Sequence, residues 1–203
     1  RLFAALYDEE DTPPLEARLS AVHSQQILKV LRRFTEQPQR LGDLEGEHKS
    51  TVMFDETYAQ RDGIIERDTQ FIEDVEDWVL SGPHFFVATP FYKTPQEQCT
   101  SNLAYDEIDL ANIPEDYLPR TNYVPACSRA QYRRHTPKVS WTNEKGEQEP
   151  VTQYYRLANR RMLNLTSQRT LLSAIIPPGV GHINTIVSTT SQDITSLVDF
   201  CGL

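Results

Sequence analysis

Thr170-Leu-Leu-Ser-Ala-Ile-Ile176, then Pro177-Pro178-Gly179, then Ile183-Asn-Thr-Ile-Val-Ser188, is the stretch that decides how this chain is built. The first run is rich in residues that suit a pleated, half-buried surface. Two prolines and a glycine stop it, because neither proline can donate to a ladder and the glycine tolerates a turn. The second run is then expected as its hairpin or sheet partner. Of Ile175 and Ile176, at least one is expected to be fully buried. Beyond them, Ser191 to Phe200 carries apolar residues at 194, 197, 198 and 200, which predicts the start of a helix. Before them, Val151 to Leu165 stays open between strand and helix.

Further out the signals change. Prolines at 114, 119, 125, 137 and 150 forbid long helices, so 96–150 reads as extended and loop-rich, with a turn tip at Asn143-Glu-Lys-Gly146. His84-Phe-Phe-Val-Ala88 reads as a buried strand, and Thr51 to Phe54 as a short one. Phe71, Ile72, Val75, Trp78 and Val79 recur at helical spacing opposite Glu73, Asp74, Glu76 and Asp77, which predicts a helix over about 68 to 80. Thr12-Pro13-Pro14, an apolar stripe from Leu15 to Phe34 and basic residues at 29, 32 and 33 predict another over about 13 to 36. The fold class is therefore α+β: N-terminal helices followed by a loop-rich, strand-containing C-terminal half. The expected division is 1–80, a mainly helical connecting region, and 81–203, a strand-containing region, with one continuous domain as the alternative.

Composition sets outer bounds. With 203 residues the chain can bury a sizeable core unaided. No apolar run approaches the ~20 residues of a spanning helix, and no signal peptide opens the chain. Arg1 rather than Met stands first, and the sequence is read as a piece of a longer polypeptide. Cys99, Cys127 and Cys201 are far apart, so neither a disulfide framework nor a zinc site is expected, and a cytoplasmic location is. Net charge is −9, yet residues 119–170 hold ten Lys/Arg against three Asp/Glu, while 1–118 hold ten against twenty-four. Such asymmetry points either to a basic functional face or to pairing of the two segments inside the fold.

Several chemistries lack their signatures: there is no P-loop, no dinucleotide fingerprint, no nucleophile elbow and no His-Glu-x-x-His. Asp106, Glu107 and Asp109 lack the nearby lysine of a magnesium-dependent nuclease and read as a surface turn. No catalytic and no metal-ligating residue is assigned. What remains is the basic segment, where arginine outnumbers lysine by eight to two. Arginine clamps phosphates and reads guanine edges bidentately, and interleaved Asn and Tyr suit base contacts. The candidate DNA-binding residues are Arg120, Asn122, Tyr123, Arg133, Arg134, Arg156, Arg160, Arg161 and Arg169.

Three blocks carry a resemblance: Gly82-Pro-His-Phe-Phe86 with Pro90-Phe-Tyr-Lys-Thr-Pro95; Asp116-Tyr-Leu-Pro-Arg-Thr-Asn-Tyr-Val-Pro125; and Tyr155-Arg156 with Arg169-Thr-Leu-Leu-Ser-Ala-Ile-Ile-Pro-Pro-Gly179. Together they resemble the region after the methyltransferase core, on the target-recognition side, of Eco57I-like, type IIG bacterial restriction–modification proteins with adenine-specific DNA methyltransferase activity. The likeness covers roughly 82 to 190. It implies a non-catalytic fragment contributing to DNA target recognition or docking. S-adenosylmethionine, with magnesium where the parent cleaves DNA, would belong to the parent and not to this fragment. Double-stranded DNA and the parent's other domains are the implied partners, and no membrane is. Thr89-Pro90-Phe91-Tyr92 is similar to the Asn-Pro-Pro-Tyr loop of adenine methyltransferases but lacks its Asn and one of its prolines, so it is not read as catalytic. Two alternatives from other classes stand beside this reading: a structural or protein-interaction module whose arginines bind its own acidic segment or a partner, and a nuclease with an unrecognised carboxylate site.

Overall fold

A computed structural model describes residues 2–7, 12–18, 21–38, 41–85, 89–101, 103–162 and 171–201. Two compact units emerge, Arg1–Glu45 and Gly46–Leu203. The α+β class holds, with short N-terminal helices and a strand-rich C-terminal half.

In the first unit, α1 (Leu2–Tyr7) packs with α2 (Gln25–Thr35). The helix expected over 13–36 thus starts twelve residues late. Ser24 is the true cap, its side chain accepting from the Gln26 N–H at 3.2 Å. Residues 14–16 form only a turn, and Leu15 is 100% exposed, so nothing there repays the entropy of helix formation. Arg32 and Arg33 sit in the last turn, as the helix dipole favours.

The second unit runs through β1 (His48–Thr51), α3 (Glu56–Arg61), β2 (Ile65–Glu66), β3 (Gln70–Phe71), β4 (Val79–Leu80), β5 (Lys93–Pro95), β6 (Tyr105–Glu107), β7 (Arg120–Thr121) and β8 (Val124–Pro125). It continues with α4 (Arg129–His135), β9 (Arg156–Arg160), β10 (Ser173–Ile176), β11 (Gly181–His182), β12 (Ile186–Ser191) and α5 (Ile194–Cys201). One four-stranded antiparallel sheet, ordered β1-β12-β9-β10, is the spine, and five-residue β9 is its hub. The two runs around Pro177-Pro178-Gly179 therefore share a sheet, with β9 between them. Gly179, at φ +94°, turns the chain into β11, which pairs in parallel with β4. Ile176 is fully buried and Ile175 is 45% exposed, as alternation requires. The buried face joins Leu80, Phe85, Val124, Ala158, Ile176 and Ile186 in one core. α5, the helix expected beyond Ser191, packs against β9, β10 and β12 and buries Leu197.

Three further expectations are corrected. Residues 68–80 form no α-helix: they are β3, a 3₁₀ turn at Val75–Asp77, and β4. The Asp74 side chain takes the Glu76 N–H at 2.9 Å, a local bond that competes with helical pairing. Val79 and Leu80 are adjacent and both buried, which a one-sided helix face cannot provide but an interior strand can. His84 and Phe85 close a buried 3₁₀ turn, Gly82–Phe85, rather than a strand, while the rest of that run, 86–88, lies outside the described residues. Asp106 and Glu107, read with Asp109 as a surface turn, lie in β6, Tyr105–Glu107. The expected turn tip at Gly146 is present, with Asn143 Oδ1 accepting from the N–H groups of Lys145 and Glu147, each at 3.0 Å. Four of the strands, β1–β4, lie before residue 81.

Candidate functional site

The basic segment does not form one face. On α4, Arg129 and Arg133 point into the acidic turn: Arg129 Nη2 lies 2.9 Å from Asp74 Oδ2, and Arg133 Nη2 lies 2.6 Å from Glu76 Oε1. The Asp74 carboxyl is held below its usual range, first by the Glu76 N–H and then by Arg129. Arg134, next on the helix, is exposed and has no ion pair among the described residues. Arg120 on β7 is half-buried with its guanidinium 4.3 Å from the Phe71 ring centre, a cation–π contact. Arg160 ends β9, half-buried, opposite Ile186. Arg161 follows it into solvent and donates to the Asn184 carbonyl at 3.4 Å. Arg169 lies outside the described residues.

Arg156 is wholly interior. It is 0% exposed, donating Nη2 to the Val180 carbonyl and Nη1 towards Met53 Sδ at 3.4 Å, while its Nε has no partner. Burial pulls its pKa down to about 10. Such a side chain has no surface to offer a phosphate. Nearby in its field is His182, also 0% exposed, whose Nε2 lies 2.8 Å from Ser188 Oγ and whose Nδ1 lies 3.1 Å from the Ile183 carbonyl. Burial first and Arg156 second push His182 down to about 3, so it is neutral in the fold.

Asn122 and Tyr123 are also buried, but they line an open cavity of about 350 Å³, within the range of small-molecule sites. Glu56 enters from the first turn of α3, which Asp55 caps through the Thr57 and Tyr58 N–H groups. Tyr123 donates its hydroxyl to Glu56 Oε1. Asn122 is held at both ends: Thr69 Oγ1 donates to its Oδ1 at 3.0 Å, and its Nδ2 donates to the Tyr105 hydroxyl at 2.5 Å. Arg67, exposed, lines the rim and gives Nη2 to the Cys99 carbonyl at 3.3 Å. On the opposite strand connection, Thr185 Oγ1 accepts from the Gly82 N–H at 2.8 Å. Burial raises both tyrosine pKa values, with Cys99 adding to the effect at Tyr105 and Glu56 at Tyr123. Both phenols therefore stay protonated donors at neutral pH.

Sequence reasoning pointed at Asn122 and Tyr123 but missed Glu56, Arg67, Cys99 and Tyr105. They stand up to 67 residues from their partners, and no local spacing joins them. Among the described residues, no group of three His, Cys, Asp or Glu is placed to hold a metal ion, and no helix is long and apolar enough to cross a membrane. No family model, curated protein or solved structure matches the chain.

Proposed function

We propose that this chain is the non-catalytic target-recognition side of a bacterial restriction–modification DNA adenine methyltransferase, a cytoplasmic protein, and that it positions double-stranded DNA. One observation supports the reading. The three sequence blocks that resemble that family are far apart in the chain, yet Phe85 of the first, Val124 of the second and Ile176 of the third meet in a single core. The three blocks thus pack as parts of one structural unit, as the resemblance implies. Arg134 and Arg161 are exposed, have no ion pair among the described residues, and are suited to phosphates.

No S-adenosylmethionine site is proposed on this chain: the Pro177-Pro178-Gly179 loop turns from β10 into β11 and opens no helix. No methyl-transfer step is assigned to these residues. A second reading, a protein-interaction module, is favoured by the ion pairs of Arg129 and Arg133 with Asp74 and Glu76, which consume basic charge inside the fold.

The test is duplex-DNA binding across several salt concentrations for the chain, Arg134→Ala and Arg161→Ala, with melting measured alongside. Each lost phosphate contact lowers the salt slope by about 0.9. At least one variant is expected to do so with unchanged melting, whereas Arg160→Ala, half-buried, should act on stability first. Absent binding, or affinity indifferent to both variants, favours the interaction module.

A further inference from the structure

The cavity beside Asn122 presents a particular set of unused groups. Glu56 Oε1 accepts from Tyr123, and Oε2 has no partner among the described residues. A carboxylate only accepts, so its complement is a donor edge. Arg67 spends one of its five N–H groups on the Cys99 carbonyl and has no ion pair among the described residues. It stands exposed at the rim, where an anionic group can meet it without being buried. The Asn122 amide, locked by Thr69 and Tyr105, keeps a second N–H without a described partner. Pro83 and Ile183 supply apolar wall. A ligand that satisfies all of these has adjacent N–H donors on one edge and acceptors elsewhere, and carries an anion at its far end.

We infer that this cavity is a nucleotide site that takes a guanine mononucleotide, base inward on Glu56 and phosphate on Arg67. Among the common bases, guanine alone sets two N–H donors side by side on its pairing edge, matching the two oxygens of a carboxylate. Adenine and cytosine put a ring acceptor beside their amino group, which would face the second carboxylate oxygen. Uracil and thymine flank their single N–H with carbonyls on both sides. The remaining guanine acceptors, O6 and N7, suit the free Asn122 N–H. Binding of this kind needs no duplex, so the inference stands apart from the reading of the arginine surface.

Isothermal titration of the chain with GMP, AMP, CMP, UMP, guanosine and inorganic phosphate tests it. GMP should bind saturably and at least tenfold tighter than UMP or phosphate. Glu56→Gln, which keeps an acceptor for Tyr123 but turns a donor towards guanine, should weaken GMP tenfold or more and erase the base preference. Arg67→Ala should erase the advantage of GMP over guanosine. Arg67 is exposed, so this variant decides the matter even where Glu56→Gln lowers the melting temperature. Lys145→Ala, at the exposed turn tip, should leave GMP affinity unchanged, which shows that losing one positive charge is not what weakens binding. No saturable GMP binding, equal affinity for the four nucleotides, or GMP affinity indifferent to both cavity variants overturns the inference.

Discussion

Replacing Arg156 by methionine should not weaken this protein, although Arg156 is among its most deeply buried side chains. The guanidinium has no carboxylate partner among the ion pairs of the described residues, and its Nε is unsatisfied. A tenfold change in proton affinity is about 1.4 kcal/mol, so a guanidinium held at about 10, against an ordinary ~12.5, carries roughly 3 kcal/mol of desolvation cost. Methionine, long and apolar, removes that cost and refills most of the volume. It also strands the Val180 carbonyl, which loses its Nη2 donor at a cost of about 1–3 kcal/mol. The balance for Arg156→Met lies at about 0 to 2 kcal/mol of added stability. Arg156→Ala sheds the same charge but leaves a cavity, so it should fall below the methionine variant by about 2–5 kcal/mol. A group whose folded pKa is depressed and which titrates near 10 stays charged throughout neutral pH, so the methionine gain should be constant between pH 7 and 9. Denaturant unfolding of the three proteins measures all of this. If methionine and alanine variants both lie more than ~2 kcal/mol below the parent, the buried charge is a net stabiliser and the reasoning fails.

Three further outcomes are expected. His182 is neutral in the fold with a pKa near 3, below its unfolded value, so its contribution is complete above about pH 6.5 and drains as pH falls towards 3. The slope is about 1.4 kcal/mol per pH unit, with buried His84 adding in the same direction, and His182→Gln should remove one proton from the uptake on unfolding between pH 6 and 4; an unchanged pH profile would contradict the assignment. Ile176→Ala should cost about 2–5 kcal/mol, while Ile175→Ala, 45% exposed, should cost far less; equal melting of the two would show that the strand faces are misassigned. Gly181→Ala should be damaging because its new Cβ would press on the Tyr132 hydroxyl, a group with no hydrogen-bond partner. Tyr132→Phe alone should be neutral or mildly stabilising and should rescue much of the Gly181→Ala loss, a coupling read directly from a double-mutant cycle.

How legible the fold was depended on what each element answers to. β10, β12 and α5 sit in apolar runs bounded by Pro177, Pro178 and Gly179, so local chemistry and tertiary packing agree there. Residues 68–80 misled because strand, turn and strand can put Phe71, Ile72, Val75 and Val79 at helical spacing by coincidence. Helical periodicity assumes one face in water, and β4 has none, since both Val79 and Leu80 are fully buried between its neighbours. The late start of α2 was likewise a matter of partners: Thr12-Pro13-Pro14 is a sound local start, but Leu15 finds nothing to pack on.

The site was less legible, for an electrostatic reason. Counting charge along 119–170 treats every arginine as a surface charge, whereas folding spends them differently. Arg156 goes inside, Arg129 and Arg133 go to Asp74 and Glu76, and Arg120 goes to the face of Phe71. Of the described candidates, Arg134 and Arg161 keep guanidinium groups that are exposed and without an ion pair among the described residues. The pairing across α4 also means that the acidic and basic segments are not independent: an anion that engages Arg133 shares it with, or displaces, a carboxylate 2.6 Å away. That exchange trades one charge-assisted bond for another in a half-exposed setting, where such pairs are worth about 0–1 kcal/mol. A polyanion with many phosphates offsets that cost at several contacts at once, whereas a single small anion gains little from it. The same contact therefore makes Arg129 and Arg133 poor reporters of weak binding and good reporters of multivalent binding, which is the behaviour a salt titration resolves.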